Sequence, residues 1–275
     1  RVNAFRPTDA DVDARGHLFL ASWRDGGFGA SPSCGVILRV RPRGHVPAAV
    51  VAFDKVQALT LVEVLRSGSH RSRLAAQREL LSRPESAETT AALLKVIEDG
   101  MLRVESRVAA VFALALQQGE RSWAMLERSA SDPVIGPWVL RAMGDDRQHA
   151  ARIPRRVVES ALVAKDARMR REGLFVAARM DQAAPVETMI TRLEDEDAIV
   201  RHTAIRALTV LKAHRECFAV VDAADATELR RSGALRVLQA LHEERVVSGL
   251  IERVERETDN VRRRGLLGAL CRLYH

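Results

Sequence analysis

From about residue 55 onward, apolar positions recur at three- and four-residue steps. Ile205, Leu208 and Leu211 stand one helical turn apart, and Leu266, Leu270 and Leu273 repeat the arrangement near the end of the chain. Each set draws an apolar stripe along one face of a helix. Ahead of each stripe lies a second amphipathic segment, VETMITRLEDE at 186–196 or ERVVSGLIERVERE at 244–257. The pattern therefore predicts helices in pairs. Residues 8–47 follow a different rule. HLFLASW at 17–23 half-alternates, and Val36, Leu38 and Val40 alternate with Ile37, Arg39 and Arg41. With Gly16 marking a tight turn, this stretch predicts strand, turn, strand, glycine-rich loop, strand.

The helical part carries an internal ruler, an Arg followed three positions later by Ala or Gly. It occurs as Arg73 with Ala76, Arg107 with Ala110, Arg170 with Gly173, Arg201 with Ala204, Arg230 with Gly233, and Arg262 with Gly265. The arginines are 34, 63, 31, 29 and 32 residues apart. The 63-residue gap is close to two repeats, so a degenerate copy is expected near DPVIGPWVLRAM at 132–143. Seven units follow, at 55–83, 87–118, 119–145, 151–181, 183–213, 214–241 and 242–273. Asp166, Asp197 and Asp225 precede their helices where a carboxylate can cap free amides. A glycine inside a helix costs about 1 kcal/mol in propensity, so the small residue is expected where stacked helices approach closely. The recurring Arg is expected to reach carboxylates of the adjoining unit.

Helix pairs of near-constant length that bury one another's faces make an α-solenoid. DAIVRHTAIRAL and DARMRREGLFVA resemble HEAT repeats of the short bacterial kind, and the Trp, Leu, Gly and Tyr pattern of tetratricopeptides is absent. The expected fold is mainly α: a HEAT-like solenoid at 55–275, preceded by a short antiparallel β segment at 1–50.

Three strands cannot bury two faces, so the β segment is expected to be the end of a larger sheet. DVDARGHLFLASWRDGGF followed by GVILRVRPRG resembles the closing blade of a glucose/sorbosone dehydrogenase-type propeller. Propeller, HEAT array and C-terminal CxxCH haem domain is the order in bacterial membrane-bound dehydrogenases of that kind. The resemblance implies a fragment of an exported or periplasmic sugar or alcohol dehydrogenase. In that parent, pyrroloquinoline quinone (PQQ), calcium and haem c would be held outside this chain. The first residue is Arg, which fits a piece of something longer. Trp23 and Arg24, ending a strand, are candidates to face a ligand at a propeller mouth; the alternative for Trp23 is packing against a neighbouring blade.

Composition narrows the chemistry. The chain has 275 residues, 47% of them hydrophobic and 4% aromatic, which suits close-packed helices. No apolar run approaches the roughly 20 residues that span a bilayer. Cys34, Cys217 and Cys271 form no metal or haem spacing, which leaves buried free thiols as the expectation. The eight histidines show no HExxH, and no P-loop or GxSxG occurs. The solenoid is accordingly expected to be non-catalytic.

The formal charge is +7, and nearly all of the positive charge is arginine. Arginines spread over solvated helix faces are one reading, and phosphate recognition is the other. Arg170 with Arg171, Arg201, Arg230 with Arg231, and Arg262 with Arg263 recur at the start of the second helices and are candidates for a positive strip. The expected partner is another domain of the same polypeptide or an acidic protein segment, with nucleic acid as the alternative.

Overall fold

The computed structural model describes residues 6–13, 15–23, 35–46 and 49–274. Two compact units, Arg1–Ala113 and Leu114–His275, divide within one helix. The chain is mainly helical, a HEAT/armadillo-like repeat solenoid with one small sheet.

The first unit opens with β1 (Pro7–Val12), β2 (Leu18–Trp23) and β3 (Gly35–Val40), an antiparallel sheet in the order β1-β2-β3. This is the expected succession of strands, and Gly16 takes a positive φ of 81° in the turn between the first two. The β1 side chains are all exposed, as is Ile37 at 73%, and Ser22 is the one buried strand residue among those described. Such a meander is common to many folds, and its geometry lends the propeller-blade reading no support. Two helix pairs follow: α1 (Ala58–Leu65) with α2 (His70–Leu81), and α3 (Ala87–Glu98) with α4 (Val104–Gln118). Their core holds Leu61, Leu65, Leu80, Leu93, Ile97 and Val111.

The second unit continues the pairing. Its first pair is the degenerate one, with α5 (Trp123–Leu126) shortened between 3-10 turns and followed by α6 (Gly136–Asp145). Then come α7 (Arg155–Leu162) and α8 (Ala167–Ala177), α9 (Val186–Thr191) and α10 (Ala198–Val210), α11 (His214–Asp222) and α12 (Glu228–Leu238), and α13 (Glu244–Arg256) and α14 (Asn260–Arg272). The second helices form one layer, α6 against α8, α8 against α10, α10 against α12, and α12 against α14. The first helices pack on them from one side, as α7 does on α8 and α11 on α12.

The small residues stand where steric crowding requires them. Ala76, Ala110 and Ala204 have no exposed surface, and Gly173 and Gly233 are buried. A Cβ on Gly173 would lie 3.1 Å from the Ala161 Cβ of α7, and one on Gly233 would lie 3.0 Å from the Leu193 Cβ of the preceding pair. Gly265, in the last helix, is only half-buried, with the Leu235 Cδ1 at 3.2 Å from where its Cβ would be.

Caps set the register. The Asp166 side chain accepts from the Met169 amide, and Asp197 accepts from those of Ile199 and Val200. Asp225 does not cap: the turn runs two residues further, and the Thr227 hydroxyl receives the Arg230 amide instead. In α14 the cap is Asp259. Counted from the cap, the fourth residue is Arg73, Arg170 and Arg201 in their pairs, as expected, but Arg231 and Arg263 in the last two. The ruler as Arg230 with Gly233 and Arg262 with Gly265 is therefore one residue early. Arg231 with Ala234, buried to 4% and 0% exposure, occupies the structural place.

Candidate partner-binding face

Of the capping-register arginines, Arg73, Arg107, Arg170, Arg201 and Arg231 turn inward, toward the backbone, whereas Arg263 at the same register of α14 is exposed. Arg73 Nη1 donates to the Ser67 carbonyl at 2.6 Å, Arg107 Nε to that of Ile97 at 2.8 Å, and Arg201 Nη1 to that of Asp195 at 2.6 Å. Arg231 Nη2 donates to Ala223 at 2.8 Å, and Arg170 Nη1 to Ala164 and Lys165 at 2.9 and 2.7 Å. Each closes carbonyls left open where the first helix of its own pair ends. The expected reach to the adjoining unit is the exception. Arg170 makes it, with Nε and Nη2 donating to the Asp195 carboxylate at 2.8 Å each, and Arg230 pairs with Glu194. In the degenerate pair the cap-plus-four place is held by Val139, fully buried, and no such clasp forms.

Of the candidates for a positive strip, Arg170 and Arg231 are buried, Arg171 donates to Glu172 at 2.9 Å, and Arg201 and Arg230 are half-buried in the contacts above. Arg262 and Arg263 make no side-chain hydrogen bond or ion pair among the described residues. Trp23 is 44% exposed at the end of β2, its amide donating to the Arg6 carbonyl at 3.0 Å. Arg24 and Cys34 lie outside the described residues. Cys217 is buried as expected, and burial pushes its thiol up to about 12; Cys271, by contrast, is exposed. Among the described residues no three His, Cys, Asp or Glu side chains converge as metal ligands.

The open arginines lie elsewhere on the same helices. Positions two before, one after and five after the capping-register Arg share one helix face, and that face points away from the first helices. On α8 they are Arg168, Arg171 and Phe175; on α10, Ile199, His202 and Arg206. On α12 they are Leu229, Ser232 and Arg236, and on α14 Val261, Arg264 and Gly268. All but half-buried Arg171 are exposed, and none is acidic. Arg206, Arg236 and Arg264 have no hydrogen-bond or ion-pair partner among the described residues. Arg168 has only the face of Trp138, 6.0 Å from the ring centroid. Arg141, 5.4 Å over Phe175, is neutralised by a two-point contact with Glu172 at 2.9 and 3.1 Å.

The first-helix side is wired differently. Arg152 meets Glu120, Arg155 meets Glu187, Arg156 meets Glu127 and Arg253 meets Asp222, each one repeat away. Reading the sequence for arginine runs missed Arg168, Arg206 and Arg236. The signal that finds them is angular, the helix face opposite the buried stripe counted from the cap.

No family model matches the chain, and no curated protein matches it. Among solved structures it is similar to YibA of Escherichia coli, at 14% identity over 80% of this chain and 94% of that one, with a TM-score of 0.49. A HEAT-like repeats protein from Thermococcus onnurineus NA1 is 14% identical over 80% of this chain and 97% of that one, with a TM-score of 0.42. The complex of CpcE and CpcF of phycocyanin lyase from Nostoc sp. PCC7120 is 15% identical over 80% and 95%, with a TM-score of 0.38.

Proposed function

We propose that this chain is a non-catalytic repeat scaffold that holds a protein partner on the outward face of its second-helix layer. One observation carries the reading. Arg152, Arg155, Arg156 and Arg253 on the first-helix side are neutralised by carboxylates one repeat away, whereas Arg206, Arg236 and Arg264 stand in succession on the opposite face without a partner among the described residues. Unpaired guanidinium groups in a row supply favourable potential and orientation for an anionic partner.

The test is binding of labelled polyglutamate to the whole chain at low salt. Arg206→Glu with Arg236→Glu is expected to weaken it at least tenfold. Arg128→Glu with Arg215→Glu, the same charge change at exposed sites on the first-helix side, should shift it by less than twofold. Equal loss in both pairs would remove the assignment to this face. Turnover of sugars or alcohols with a dye acceptor is expected to be absent, and measured turnover would end the non-catalytic reading.

The wider context rests on the sequence resemblance of the β segment: an exported parent with PQQ, calcium and haem c bound outside this chain. Extending the reading frame tests it. Propeller blades upstream and CxxCH downstream support it, and their absence removes it.

A further inference from the structure

The outward face of the second-helix layer is ordered into lanes that run across the helices. Two residues before the capping-register Arg stand Ile199, Leu229 and Val261, 60%, 49% and 66% exposed on three successive helices. Five residues after it stand Arg206 and Arg236. The two lanes are seven residues apart along each helix, about 10 Å at the α-helical rise. Beyond Ile199 the apolar lane is continued by Arg168 lying over Trp138, itself 38% exposed. In a chain with only three tryptophans, an exposed Trp under an otherwise unpaired Arg has the composition of an interface anchor.

Resting on the scaffold reading above, we propose that this face binds an extended acidic polypeptide segment with a three-residue period, its aliphatic residues on the Ile199–Leu229–Val261 lane and its carboxylates on Arg206 and Arg236. The period follows from matching two lengths. Packed helices lie about 8–10 Å apart, and a polyproline-type chain advances about 9.3 Å per three-residue turn, returning a side chain to the same side each time. A segment laid across the layer thus presents one aliphatic and one acidic side chain to every helix. Charge decides between polymers. The three positions counted on each helix carry no carboxylate, and Glu228, exposed beside them on α12, is paired with Arg231 at 3.4 Å, so an acidic segment meets little repulsion. The apolar lane gives a phosphate backbone nothing to bind, while it gives aliphatic side chains a surface to bury.

The experiment compares two synthetic peptides on the whole chain by fluorescence anisotropy: four copies of Glu-Pro-Leu, and an isomer with the four glutamates together at one end. The periodic peptide is expected to bind at least tenfold more tightly. Leu229→Asp and Arg206→Glu, both at exposed sites, should each weaken it at least fivefold with the circular dichroism spectrum unchanged. Equal affinity for the two peptides, or no binding of either while polyglutamate still binds through Arg206 and Arg236, overturns the lane assignment and leaves the scaffold reading standing. Oligo(dT) binding more tightly than the periodic peptide through the same arginines overturns both.

Discussion

Arg170 of α8 and Asp195, in the turn before α10, form a buried two-point pair, Nε and Nη2 each 2.8 Å from a carboxylate oxygen, with side chains 5% and 2% exposed. Arg170 also holds two carbonyls of its own pair, and the Asp195 carbonyl is held by Arg201. One side chain thus ties the end of one helix pair to the start of the next. Burial alone would raise the Asp195 carboxyl. The Arg170 hydrogen bonds, the Asp197 amide and the nearby Arg192 nevertheless bring it below its ordinary value.

Removing one partner strands a buried charge, which costs about 3–5 kcal/mol. Asp195→Ala is expected to destabilise the chain by about that much in urea unfolding. Arg170→Met combined with Asp195→Leu should recover most of the loss, because neither charge is then left buried. A change under about 0.5 kcal/mol, typical of a surface site, would show that the pair does not hold the layers.

The register shift in the last pairs makes neighbouring arginines unequal. Arg231→Ala leaves the Ala223 carbonyl without its donor, and is expected to cost about 1–3 kcal/mol. Arg236→Ala, at an exposed site, should stay within about 0.5 kcal/mol. Thermal or urea unfolding of the two variants decides it; equal effects would contradict the register set by Thr227.

Two helical glycines should respond oppositely to the same change. At Gly268 an added Cβ meets nothing within 4 Å, so Gly268→Ala is expected to gain up to about 1 kcal/mol of helix propensity. At Gly233 the Cβ would press on Leu193 at 3.0 Å from its Cβ and 3.3 Å from its carbonyl oxygen, and Gly233→Ala should destabilise. Melting temperatures that move in the same direction would refute the close approach.

The β1–β2 turn should be acid-sensitive. The Asp13 carboxyl is held down at about 2, chiefly by the hydrogen bond with the His17 side chain at 2.8 Å and further by the His17 and Arg15 amides. Its unfolded value is about 3.9. A depressed carboxyl stabilises the folded form above about pH 4, and the contribution is lost as pH falls through about 2. Amide chemical shifts of β1 and β2 are expected to change across that window in the native chain and to change less in Asp13→Asn.

Thiol titration separates the cysteines. In a Cys34→Ser background, Cys271 is expected to react with an aromatic disulfide reagent in the folded chain and Cys217 only after unfolding. Two rapidly reacting thiols under native conditions would contradict the burial of Cys217.

Periodicity is a local property, and what depends on it was legible in the amino-acid order: paired helices, the repeat length, the degenerate copy around residues 132–143, the three strands and the need for small residues where helices cross. A ruler built on letters went one step early at Arg230 and Arg262: Arg231 with Ala234 satisfies it equally well and only the capping atom breaks that tie, while Arg263 is followed three positions later by Leu266 and escapes the ruler altogether. Thr227, not Asp225, begins α12, and that choice depends on where the preceding turn ends in space. Composition likewise showed many arginines, but not their assignment. Whether a guanidinium is spent on a carbonyl, as in Arg231, on a carboxylate one repeat away, as in Arg170, or on no partner among the described residues, as in Arg206 and Arg236, follows from the direction its helix face takes once the layers stack. Sequence fixes the angle between two side chains on one helix; only packing decides which of those angles looks into protein and which into water.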